Sequence, residues 1–73
     1  MQWKLIQLRK DRGYSQKDMA DYLKINITSY GAKERGQQQF TTDELFEIMD
    51  LFKLSFEDIF LPRDFIENAI NNK

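Results

Sequence analysis

An all-α fold is predicted by three observations. No stretch alternates strictly between polar and apolar residues, and the one β-branched cluster, Ile25-Asn26-Ile27-Thr28, is too short and too cap-like for a strand. Helix start and stop residues recur roughly every ten to fifteen positions. The clearest start, Thr41 with Glu44 three residues on, is a capping box that opens an apolar stripe at helical spacing. These features predict a compact bundle of five helices with a short helical extension at its C-terminus.

Each helix has its own local justification. Over residues 2–12, Leu5 and Leu8 with Trp3 or Ile6 recur at helical spacing, and Gly13 follows as a favoured stop. Ser15 caps the second helix, with Asp18 in its first turn beside the exposed N–H groups and Met19, Ala20 and Leu23 as its apolar stripe. Only Lys24 and Ile25 separate it from Asn26, a good N-cap for a third helix that runs to about Arg35 and stops at Gly36. Phe40 and Leu45 flank the Thr41 cap as a hydrophobic staple, and Leu45, Ile48, Met49 and Phe52 make the fourth helix the main beam of the core. Ser55 with Asp58 opens a short fifth helix carrying Phe56, Ile59 and Phe60. Pro62 suits a first helical position, after which Phe65, Ile66, Ala69 and Ile70 share one stripe.

The composition removes whole classes of chemistry. The 73 residues suit a single domain, divided as residues 1–61 and an extension over 62–73. With no Cys and no His, disulfides, thiolate chemistry, histidine acid–base catalysis and the usual zinc ligands are excluded. Neither a membrane span nor a signal peptide is expected, which points to a cytoplasmic protein. At this size a fold buries only roughly 60% of the surface its unfolded chain exposes, so a partner subunit would help. The formal net charge of −1 conceals polarity. Residues 1–39 carry eight Lys and Arg against four Asp and Glu, whereas residues 40–73 carry three against eight. The acidic half either keeps its face off a polyanion or is an ordinary solvated surface, and nothing in the local sequence of Asp43 and Glu47 implies the burial that acid–base catalysis requires.

Two helices of about eight residues joined across Leu23, Lys24, Ile25 and Asn26 describe a helix-turn-helix. The segment LRKDRGYSQKDMADYLKINITSYGAKERG, followed by FTTDELFEIMDLFKLSFEDIF, resembles the XRE family of DNA-binding domains, which includes the lambda-type phage repressors and Cro. The resemblance covers residues 5–60. It rests on Ser15-Gln16, Met19-Ala20, Leu23, Ile25, Tyr30, Glu34-Arg35-Gly36 and the closing Ser-x-x-Asp-Ile-Phe. It implies a five-helix lambda-repressor-like domain on double-stranded DNA, with the third helix in the major groove.

Residue roles follow from that resemblance. Ile27, Thr28, Ser29 and Ala32 are expected to meet base edges, while Gln16, Lys17, Arg35, Gln37 and Gln39 approach phosphates. Arg9 and Glu34 are expected to form a structural ion pair between helices one and three, and Tyr30 to face inward. Many relatives place Gln, Arg or Asn at positions 27 or 32. Here Ile27 and Ala32 offer apolar contact only, which suits thymine methyl groups and predicts T-containing half-sites. Lys24 replaces the usual turn glycine, so a left-handed backbone there would cost about 1 kcal/mol unless the turn has another geometry.

Blander readings stand beside these. Gln16 can be a solvated helix residue, Ile27 a packing residue at a dimer contact, and Arg35 with the glutamine loop a plain surface. Lys33 can approach a phosphate or lay its stem over apolar surface. The stripe Phe65, Ile66, Ala69 and Ile70 must bury either on Trp3 and helix one or in a two-fold interface. The expected function is a small phage-type repressor that binds its operator as a homodimer and is not an enzyme. No cofactor, metal or small-molecule effector is expected. The competing reading is a protein-interaction module on the same fold, antitoxin-like or antirepressor, with little DNA binding.

Overall fold

In the structure, a computed structural model that describes residues 1–60, five helices follow in order: α1 (Trp3–Asp11), α2 (Gln16–Leu23), α3 (Ile27–Glu34), α4 (Thr42–Phe52) and α5 (Phe56–Ile59). The extension expected over 62–73, with Phe65, Ile66, Ala69 and Ile70, lies outside the described residues. Among the described residues there is no strand.

The helix starts are held by their own side chains. Ser15 Oγ accepts from the Asp18 N–H at 3.0 Å while the Asp18 carboxylate accepts from the Ser15 N–H at 2.8 Å. Thr41 and Glu44 make the same reciprocal pair at 3.1 and 2.9 Å, and Asn26 Oδ1 accepts from the Ser29 N–H at 2.7 Å. At α5 the Ser55 hydroxyl instead donates to Asp58, at 2.9 Å. The bonds from the Asp18, Ser29 and Glu44 amides satisfy groups that a first helical turn otherwise leaves open.

Two helices end on a lysine where glycine would be easier. Lys24 closes α2 at φ 60° and Lys53 closes α4 at φ 58°, both left-handed. The conformation lets the next amide reach back: Ile25 N–H donates to Ala20 O at 3.0 Å and Leu54 N–H to Met49 O at 3.2 Å. Those bonds cap the last carbonyls and seat Ile25 and Leu54 against the core. So the turn between α2 and α3 keeps the left-handed geometry despite its lysine. Lys24→Gly is expected to raise stability by about 0.5–1 kcal/mol, after allowing for the greater unfolded-state entropy of glycine. Urea unfolding checks this, and an unchanged midpoint would mean the lysine stem contributes as much as the strain costs.

All five helices feed one core of Leu5, Met19, Ala20, Leu23, Tyr30, Ile48, Phe52, Ile59 and Phe60. A relay of tilted rings runs through it, with centroids 6.1 Å apart for Tyr30 and Phe40, 5.7 Å for Phe40 and Phe60, and 5.2 Å for Phe60 and Phe56. Edge-on aromatic packing of this kind adds to simple burial. Trp3 takes no part: it is 61% exposed, whereas Leu8 packs against the core beside the buried Leu5. Of Trp3 and Ile6, Ile6 is the less exposed. No helix among the described residues is long and apolar enough to cross a membrane.

Candidate nucleic-acid interface

The N-terminal turn of α3 stands clear of the core. With Asn26 capping it, Ile27 is 48% exposed, Thr28 is exposed and Ser29 half-buried, while Tyr30 behind them is fully buried. Three adjacent residues therefore present side chains where a recognition helix meets base edges. Ala32 does not join them. It is only 8% exposed, and its carbonyl helps to cap the end of α3, accepting from the Gln37 and Gln38 amides at 2.9 and 3.3 Å. Ala32, expected on the outward side one turn beyond Thr28, is instead buried, and Ile27 is the exposed apolar side chain of the turn.

A buried carboxylate sets the angle of α3. Glu34 Oε2 accepts from Arg9 Nε at 2.7 Å and from the Tyr30 hydroxyl at 2.7 Å, and Oε1 accepts from Gln16 Nε2 at 3.0 Å and from Arg9 at 3.3 Å. One side chain thus ties α1, α2 and α3 together. Burial works against ionisation of Glu34, but the bonds from Arg9, Gln16 and Tyr30 outweigh it and hold the carboxyl below its ordinary range. The same burial, reinforced by the bond to Glu34, pushes the Tyr30 hydroxyl far above its ordinary value, so it stays a donor.

A second buried pair fastens α3 to α4. Lys33 donates to Glu44 at 2.5 Å, with both side chains nearly out of solvent. Lys33 therefore neither approaches a phosphate nor merely covers apolar surface. Glu44 also accepts from the Thr41 amide, so one residue serves the helix cap and the ion pair at once. Burial opposes its charge, yet Lys33 and Thr41 keep its carboxyl below the ordinary range.

These commitments sharpen the charge pattern. Of the eight cations in residues 1–39, Arg9 and Lys33 are used inside the fold, and Arg12 lies over the Phe52 ring at 5.3 Å and donates to the Phe52 carbonyl at 3.3 Å. Lys17 sits in an exposed pair with Asp21 at 3.0 Å, which holds it weakly and leaves it able to turn to a phosphate. Among the described residues Lys4, Lys10, Lys24 and Arg35 make no ion pair. Arg35, Gln37, Gln38 and Gln39 are all exposed beside α3. Gln16 is half-buried, with one amide proton already given to Glu34 and the other left for an external acceptor.

Sequence reading did not find the Lys33–Glu44 tie, the Tyr30 and Gln16 bonds to Glu34, or any part for Gly31. The spacing of Tyr30 and Glu34, one helical turn apart, was the available signal for the second. A glycine inside an otherwise regular helix was the signal for the last.

Comparison with known proteins bears on this geometry directly. A family model described as helix-turn-helix matches residues 5–59, from the first buried leucine of α1 to the end of α5. No curated protein and no solved structure matches the chain. Helices α2 and α3 with their left-handed turn coincide with the motif that gives the family its name. The chain belongs to the helix-turn-helix family of the XRE, Cro-like type, a family of DNA-binding transcription regulators with the lambda-repressor-like fold.

Proposed function

We propose that this protein is a sequence-specific repressor that binds a near-palindromic operator as a dimer. The observation that carries the reading is the exposed N-terminal turn of α3, with Ile27, Thr28 and Ser29 outward on a helix whose inward residues are locked to α1, α2 and α4. Residues 1–61 are the reading domain. The apolar sequence stripe Phe65, Ile66, Ala69 and Ile70 in the extension 62–73 supports a two-fold contact. Gln16, Lys17, Arg35, Gln37 and Gln39 flank the reading turn and serve as phosphate contacts. Thr28 supplies the polar base contact, and Ile27 packs on thymine methyl groups.

Selection of binding sites from random duplex DNA tests every part of this. The expected product is two T-containing half-sites in inverted order, centred about 34 Å apart, one turn of DNA. Thr28→Ala is expected to change the preferred base at one position of each half-site by about 1–3 kcal/mol of discrimination while leaving the salt dependence intact. Single, unpaired sites would remove the dimer. Failure to enrich any sequence, with no fall in affinity as salt rises, would favour the protein-interaction module, a reading that the buried Ala32 and apolar Ile27 otherwise support.

A further inference from the structure

Gly31 occupies the interior of α3, where glycine is less favourable than alanine, and its φ is not positive, so the backbone does not require it. What an alanine would meet there is informative. A Cβ at position 31 would lie 3.1 Å from Arg35 Nη1, and 3.9 Å from both Arg35 Cζ and Gln16 Oε1. The guanidinium of an exposed arginine is thus laid back over the preceding turn of its own helix, against bare backbone, and the Gln16 side-chain oxygen borders the same space. Its Nη2 donates to Gln37 Oε1 at 3.4 Å, which steadies the other side. Gln16 is steadied in turn by its 3.0 Å bond to Glu34.

We infer that Gly31 is a positioning residue, whose missing side chain seats the Arg35 guanidinium beside Gln16 so that the two engage one DNA phosphate. The inference rests on the DNA-binding reading above and deepens it. An arginine carries a large rotamer entropy that must be lost on binding, and a seat that orders it beforehand reduces that loss. The arrangement gives two kinds of donor to a single phosphodiester: the Arg35 N–H groups not given to Gln37 and the free amide proton of Gln16. It also accounts for a glycine that local backbone energetics disfavours.

The test is a thermodynamic cycle on the whole chain, with Gly31→Ala, Arg35→Ala and both together, reading thermal unfolding and duplex affinity across a salt series. Gly31→Ala is expected to raise the unfolding temperature, since alanine is the better helix former and the obstructing atom is the movable end of a side chain. The same change should weaken duplex binding on the order of tenfold and flatten the slope of log affinity against log salt by about 0.9, the loss of one phosphate contact. In the Arg35→Ala background, Gly31→Ala should have no further effect on binding. Wild-type affinity from Gly31→Ala, or an equal loss in both backgrounds, overturns the seat and leaves the DNA-binding reading standing. A wild-type chain with no salt-dependent duplex binding overturns both.

Discussion

Glu34→Ala is expected to cost about 3–5 kcal/mol of unfolding free energy, the penalty for removing one partner of a buried ion pair. The carboxylate has four hydrogen bonds from three residues on α1, α2 and α3, and its side chain is only 3% exposed. Its loss strands the Arg9 guanidinium, the Tyr30 hydroxyl and one Gln16 amide proton, each then short of an acceptor away from bulk water. A domain of this length has roughly 4–11 kcal/mol in total, so the variant should be largely unfolded on mild warming. Replacing Asp21 of the exposed Lys17–Asp21 pair is the internal comparison, and there the change should stay within about 0.5 kcal/mol. Urea unfolding of the two variants side by side decides it. Similar small losses would show that Glu34 is dispensable and that the three helices hold their angles by apolar packing alone.

Acid should dismantle the same framework. Glu34 and Glu44 both have carboxyl groups held below the ordinary range in the folded state, so the folded protein releases their protons more readily than the unfolded chain does. The stability that they contribute is complete above the unfolded value near about 4.3 and is lost as pH falls through the lower folded values. Denaturant midpoints are therefore expected to be level from about pH 6 to 8 and to drop steeply below about pH 4.5. Glu44→Gln should flatten part of that drop. A midpoint that falls equally with and without Glu44 would mean that its bonds to Lys33 and Thr41 do not distinguish the folded carboxylate from the unfolded one.

How far the fold could be read in advance follows the range of each interaction. Ser15, Asn26, Thr41 and Ser55 announce helix starts because a cap joins residues three apart, and such pairs need no knowledge of the rest of the chain. Arg9 with Glu34 was accessible through family resemblance alone, since 25 residues separate them and periodicity carries no trace of the pair. Lys33 with Glu44 had neither advantage. On a helical wheel Ala32 stands one turn beyond Thr28 and so faces outward, but a wheel carries no tertiary neighbours, and in the folded chain Ala32 is only 8% exposed. Spacing alone could not separate Trp3 from Ile6, since the two stand three residues apart, itself a helical interval, and only the packed chain shows Trp3 exposed with Leu5 and Leu8 on the core. In the candidate interface, Ile27 and Thr28 were legible because the motif itself numbers them. The crowding around Gly31 was not, because it depends on an arginine side chain bending back along its own helix.

The bonds that anchor α3 come from Tyr30, Lys33 and Glu34, and the side chains of Ile27 and Thr28 contribute none of them. Substitutions at those two positions can therefore be sampled at little thermodynamic risk to the scaffold. If Ile27 and Thr28 read bases as proposed, a descendant or a laboratory library could change its target at residues 27 and 28 alone, with the chain still folding at every step between the old preference and the new.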